Sequence, residues 1–138
     1  MTIFQSRLLS RMLLVSALFI AISFSVIPQA LSDTALKSQS GQASYYAKKY
    51  HGRKTASGEK FDQNALLAAH RSWPFGTVVR VTNLENDRSV KVRIVDRLGK
   101  KARSMIDLSH KAANALGFLK TGQGVAKVKV DVLQWGKK

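Results

Sequence analysis

At 138 residues the chain has room for one domain, and its formal charge of +15 is a strong field for so small a protein. It contains no cysteine, which excludes a disulfide framework, a thiol nucleophile and a lipid-bearing cysteine anchor. No HxxxH or Cys/His spacing points to a metal, and no GxSxG motif points to acyl transfer. No recognition helix or basic-aromatic motif points to nucleic acid. Neither a metal nor another cofactor is expected.

Arg7 and Arg11 precede an uncharged apolar run from Met12 to Ile27, and Pro28 to Ser32 offers small-residue exits. That is the layout of a secretory signal peptide over residues 1–30. An uncleaved anchor is the alternative, because the run is just short of a comfortable span. Cleavage leaves no membrane span and lowers the charge only by the two arginines. An exported, strongly basic monomer would be drawn to anionic polymers such as wall glycans, teichoic acids or lipopolysaccharide. Without a lipidated cysteine it would be periplasmic or secreted. Residues 31–40 are polar and mixed, and read as a flexible lead-in.

The stretch 41–133 reads as one β domain. Residues 41–50 carry Ala43 and Tyr45 on one side and Tyr46 on the other, a first strand. Residues 51–62 form a loop by composition, with Gly52 and Gly58 free to take unusual backbone angles and Glu59 set among small residues. Leu66 to His70 is apolar and ends in a histidine. Trp73 to Gly76 is a turn, and strands over 77–82 and 90–95 are joined by a hairpin at 83–87. A basic loop follows over 98–103. Ser109 is placed to cap a helix over 110–116 that ends at Gly117. Ala126, Val128, Val130 and Val132 alternate with Lys127, Lys129 and Asp131 in a last strand, and 134–138 is a tail. Five or six short strands, one short helix and Gly-rich turns suit a small closed barrel, which leaves no exposed sheet edges.

Asp96 stands out. Val90, Val92 and Ile94 alternate with Lys91 and Arg93, and continuing the count puts Asp96 on the apolar face at the strand's end. Burial there would favour a protonated acid, the form a general acid needs. A structural aspartate that accepts backbone N–H groups or pairs with Arg97 is the alternative. Glu59, His70 and Asp107 join it as candidates. Each has a plain reading too: a solvated loop acid, a hydrogen-bonded core histidine, and a cap for the helix two residues on. Tyr45, Tyr46 and Tyr50 are either core residues or a sugar-stacking platform.

Together the strings GQASYYAKKYHGRKTASGEKFD, LLAAHRSWPFGTVVRVTNLENDRSV and VRIVDR…IDLS resemble the rare lipoprotein A (RlpA) family, from about Gly41 to Leu133. The resemblance implies a mainly β fold, a six-stranded double-psi β-barrel akin to barwin and expansin domains, with one or two short helices. It implies a lytic transglycosylase that cuts the bond between N-acetylmuramic acid and N-acetylglucosamine in peptidoglycan glycan strands. Strands lacking stem peptides are preferred and a 1,6-anhydro end is formed. Carried over by position, Glu59 is the acid of the TASGE motif, His70 the histidine of AAH, and Asp96 the aspartate before the barrel-strand arginine. Asp96 is expected as acid/base, Glu59 as charge stabiliser or proton partner, and His70 as the residue that orients one of them. Tyr45, Tyr46, Trp73, Arg97 and Asp107 are expected to bind substrate. The chain departs from the family pattern at Val95, where an amide is usual, at Leu98-Gly99 in place of Gly-Pro, at Lys101 to Arg103, and at Ala47. The glycan-binding SPOR domain that many family members carry is not expected here. The competing expectation is a non-catalytic, expansin-like module that holds glycan through its basic surface and its aromatic residues.

Overall fold

The computed structural model describes residues 34–137. The signal peptide over 1–30 and the start of the lead-in lie outside the described residues. Six strands, β1 (Lys37–Tyr45), β2 (Leu67–His70), β3 (Val78–Asn83), β4 (Ser89–Asp96), β5 (Ile106–Leu108) and β6 (Val125–Gln134), close into a barrel in the order β1-β5-β2-β4-β3-β6. The β1/β5 and β2/β4 pairs are parallel, and the other four are antiparallel. No helix among the described residues is long and apolar enough to cross a membrane.

The alternation seen in the sequence sets the interior. Val79, Val81, Val92, Ile94, Val128, Val130 and Val132 fill it from β3, β4 and β6, and Ile106 and Leu108 fill it from β5. The short helix α1 (His110–Ala115) closes the barrel with Ala112 and Ala113, and Leu116 follows them inward. Ser109 caps it as expected, its hydroxyl accepting from the Ala112 N–H, and Gly117 takes a left-handed φ of 82°.

Three boundaries differ from the sequence reading, and at the two ends of the domain backbone pairing outweighs side-chain polarity. Residues 37–40, read as flexible lead-in, extend β1 and pair with β6 from Lys37 opposite Val132 to Ser40 opposite Lys129. The first strand ends at Tyr45, and Lys48–Tyr50 is a single 3₁₀ turn. The tail packs down: Gln134 belongs to β6, the Gly136 N–H donates to the Thr77 hydroxyl, and Trp135 meets Trp73 edge-on. Only glycine fits at 136, since a Cβ there would lie 2.0 Å from the Phe75 carbonyl oxygen.

A second, smaller cluster sits outside the barrel. Tyr46, Phe61, Leu67, Ala69 and Val95 pack beneath the 47–66 segment. Phe61 is its centre, with its ring 4.0 Å from that of Tyr46. Backbone bonds between Gly52 and Phe61, and between Arg53 and Phe61, hold the segment as a folded flap rather than a free loop.

Candidate active site

One irregularity in the sheet decides the site. Ala68 of β2 pairs with Ile94, but Ala69 pairs with Asp96, so β4 holds one residue more than β2 at this point. The extra residue breaks the period-2 pattern. Val95 turns out of the barrel into the second cluster, where it is fully buried. Asp96 leaves the interior with it, so the simple count that put Asp96 on the valine face is corrected by the bulge. Val95 packs under the flap, where an amide would have to find a polar partner.

Ala69 is also paired with Asp107 across β5, and Asp107 with Ser44 across β1. Asp96, Ala69, Asp107 and Ser44 therefore form one row on the outer surface, on four neighbouring strands. At the ordinary strand spacing the two acidic Cα atoms are about 10 Å apart, with the smallest of side chains, a methyl group, between them. A cleft of about 540 Å³ opens over this row and is lined by Ser44, Tyr45, Tyr46, Tyr50, Asp96, Arg97 and Asp107 among others.

The two carboxyl groups have unlike surroundings. Asp96 accepts from the Tyr46 hydroxyl at 2.5 Å, and from the backbone N–H groups of Ala56 and Arg97 at 2.8 Å each. Burial and the adjoining Asp96 push the Tyr46 phenol far up, so it stays a donor. Asp107 has one side-chain donor, Ser44 at 3.1 Å, whose hydroxyl also meets Ser104 at 2.7 Å. Burial, reinforced by the charge of Asp96 and only partly offset by these hydrogen bonds, pushes Asp107 up to about 6. Helix capping, the plain reading of Asp107, falls to Ser109 instead.

Of the other expected residues, Tyr45, Tyr46 and Arg97 line the cleft. Tyr45 leans on His110 and Phe118. The Arg97 guanidinium lies 3.9 Å over the Phe75 ring. Trp73 is not in the cleft: it is 4% exposed and stacks on His70 at 3.8 Å, so it has no face to offer a sugar. Tyr50, left open as core or platform, is exposed at the cleft mouth. Glu59 does not line the cleft either. Its carboxylate is held by Arg93 at 2.6 and 3.1 Å, an exposed bidentate pair that holds it below the usual range.

His70 lies in an adjoining cavity of about 480 Å³ with Gln39, Arg71 and Arg103. Its Nδ1 accepts the N–H groups of Ser72 and Trp73, which leaves the proton on Nε2 facing Gln39. Burial, then the positive charges of Arg97, Arg71 and Lys37, push His70 down to about 4. It is a neutral anchor for the turn before β3. The unfolded chain takes up this proton near 6.5 and the folded chain only near 4. The stability tied to neutral His70 is therefore complete above pH 6.5 and is lost as pH falls toward 4. Denaturant midpoints at pH 7 and 4.5 should fall more for the wild type than for His70→Gln; equal falls would sink this assignment.

Sequence reasoning passed over the bonds from Ser44 to Ser104 and to Asp107 and the Tyr46–Asp96 bond, each of which links residues 50 or more positions apart. The signal available was the IDL triplet: Ile106 and Leu108 face inward, so Asp107 between them must face out. Among the described residues no group of three or more His, Asp or Glu side chains is placed to hold a metal ion.

The family profile described as "Lytic transglycolase" matches residues 38–130. The chain belongs to this lytic transglycolase family. Relatives include probable endolytic peptidoglycan transglycosylases RlpA of Synechocystis, 50% identical over 101 residues, and of Treponema pallidum, 56% identical over 90. These alignments cover 73% and 65% of this chain but 31% and 28% of the relatives. The endolytic peptidoglycan transglycosylase RlpA of Neisseria meningitidis is 46% identical, with 72% of this chain and 41% of the relative aligned. The chain thus spans roughly a third of the length of these family proteins. The fold of this lytic transglycolase member is also that of the Streptomyces papain inhibitor (TM-score 0.58, 23% identity, 73% of this chain and 98% of the inhibitor). An expansin of Clavibacter michiganensis shares it as well (TM-score 0.56, 20% identity, 74% and 53%). The barrel is the double-psi β-barrel that the sequence implies.

Proposed function

We propose that this domain is an exported lytic transglycosylase, periplasmic or secreted. It cleaves the N-acetylmuramic acid–N-acetylglucosamine bond of peptidoglycan and prefers strands stripped of stem peptides. The observation that supports this most is the pair of carboxyl groups set in one cleft, of which Asp107 is held protonated up to about pH 6 by its burial. The relatives' printed activity points the same way.

These surroundings favour Asp107, first expected to bind substrate, as the acid, and Asp96, first expected as acid/base, as the charge stabiliser in place of Glu59. Asp107, protonated to about pH 6, is the proton donor. It protonates the glycosidic oxygen, the C1–O bond breaks, and the N-acetylglucosamine hydroxyl leaves. Asp96, which accepts from three donors, faces the oxocarbenium-like charge at C1. The muramic C6 hydroxyl then attacks C1 and returns its proton to Asp107. The product is a 1,6-anhydro sugar, no water is consumed, and the enzyme ends as it began. A two-carboxylate glycosidase would instead attack with the second acid or activate water. Glu59, through Arg93, and His70, through the 70–73 turn, act as supports for β4 and β2 rather than as groups touching the sugar.

The test is a digest. Residues 31–138 are incubated with intact sacculi and with amidase-stripped strands, and the soluble products are weighed by mass spectrometry. Anhydro-ended fragments, more abundant from stripped strands, are expected. Reducing ends would replace the mechanism. Sedimentation with glycan and no product would overturn the enzyme in favour of the binding module.

A further inference from the structure

The cavity beside the cleft carries a charge that catalysis does not use. It is lined by Gln39, Gln42, His70, Arg71, Arg103 and Ser104 among others, and no carboxylate is in its lining. Arg103 is exposed. Arg71 spends one N–H on the Ala102 carbonyl at 3.0 Å, which leaves other donors of its guanidinium. Among the described residues neither guanidinium is paired with an acid. The space adjoins the cleft: Ser104 lines both, and Ala102, whose carbonyl Arg71 holds, lines the cleft. Burial lowers the His70 pKa most, and the positive charges of Arg97, Arg71 and Lys37 lower it further, in keeping with an electropositive corner. A planar, bidentate donor pair beside a sugar-cutting cleft suits a planar anion carried by the same polymer.

We propose that this cavity is an anion subsite in which Arg71 and Arg103 bind the free lactyl carboxylate of a muramic acid residue next to the scissile bond. This rests on the peptidoglycan reading above. A stem peptide converts that carboxylate to a neutral amide and adds bulk, so a strand bearing peptides loses the charge that the two arginines read. The subsite gives the preference for stripped strands a physical cause.

Binding is read without turnover, in the Asp107→Asn background, by co-sedimentation with amidase-stripped strands. Half of the strands have their carboxylates converted to amides with carbodiimide and ammonia. Arg71→Ala with Arg103→Ala should weaken binding to untreated strands roughly tenfold and leave binding to amidated strands unchanged. Lys111→Ala with Lys120→Ala removes the same charge from another face and should change binding to both strands by less than about twofold. Arg103→Ala alone, at an exposed position, should give a smaller loss with the same dependence on the carboxylate, and serves if the double variant does not fold. Equal losses on treated and untreated strands, or equal losses from the two pairs of substitutions, would overturn the subsite and leave only a general attraction of a basic protein. A digest without anhydro product would overturn the enzyme, yet a carboxylate-dependent loss on Arg103→Ala would still establish the subsite.

Discussion

Asp107→Asn should lower anhydro-product formation by roughly 10²- to 10⁴-fold, because an amide cannot give its proton to the leaving oxygen. The same substitution should stabilise the fold above pH 6. The carboxyl group titrates at 3.8 in its ordinary state and at about 6 in the folded chain. Between those values the folded chain holds a proton that the unfolded chain has lost. The associated stability is complete below pH 3.8 and is lost as pH rises through 6. Asparagine has no charge to bury, so at pH 8 the variant should exceed the wild type by about 3 kcal/mol. Asp96→Asn should also lose activity but with the opposite effect on stability. Its amide nitrogen would face one of three donors, leaving a partly buried group without a partner at a cost of about 1–3 kcal/mol. Wild-type kcat/KM should fall about tenfold per pH unit above 6. Removing the charge of Asp96 should move that limb to lower pH, because Asp96 helps to raise Asp107. Denaturant midpoints and a pH profile from 4.5 to 8 check all three. Full activity of Asp107→Asn at pH 7 would return the acid role to Asp96.

Phe61→Ala should cost about 3–5 kcal/mol and should disable the cleft from a distance. Phe61 is 2% exposed and is the largest fully buried side chain of the described residues. Its ring packs against that of the cleft residue Tyr46. Its loss leaves a void between the barrel and the flap that a five-residue cluster cannot close. The flap delivers the Ala56 N–H to Asp96, and the Ser57 N–H donates to the Val95 carbonyl. A loosened flap therefore takes one donor from Asp96 and frees Tyr46 to move. Activity should fall further than the folded fraction does, whereas Phe61→Leu should restore most of both. A stability change under about 1 kcal/mol would mean that the second cluster does not hold the flap.

Much was legible in the chain alone, because it follows from local patterning. The valine alternation in β3, β4 and β6 requires a one-sided sheet, the Ser109 cap and Gly117 bound the helix, and the motif strings carry the family. Asp96, Asp107, Tyr46 and Arg97 were named from sequence and meet in one cleft. Their roles were not legible. A period-2 count cannot contain the extra residue at Val95, which exists only against the shorter β2 partner, and that residue turns Asp96 out of the core. Protonation depends on burial and on neighbours 11 to 63 positions away, Asp96 and Ser44 for Asp107, and no local window holds both. Trp73 looked like a platform because aromatic residues in turns often are exposed; stacking on His70 buried it. The sequence determined which side chains alternate, where the chain turns and which family it joins. The tertiary structure decided which acids share a cleft and that burial raises Asp107, since electrostatics and burial act through space and are set only when distant strands close the barrel.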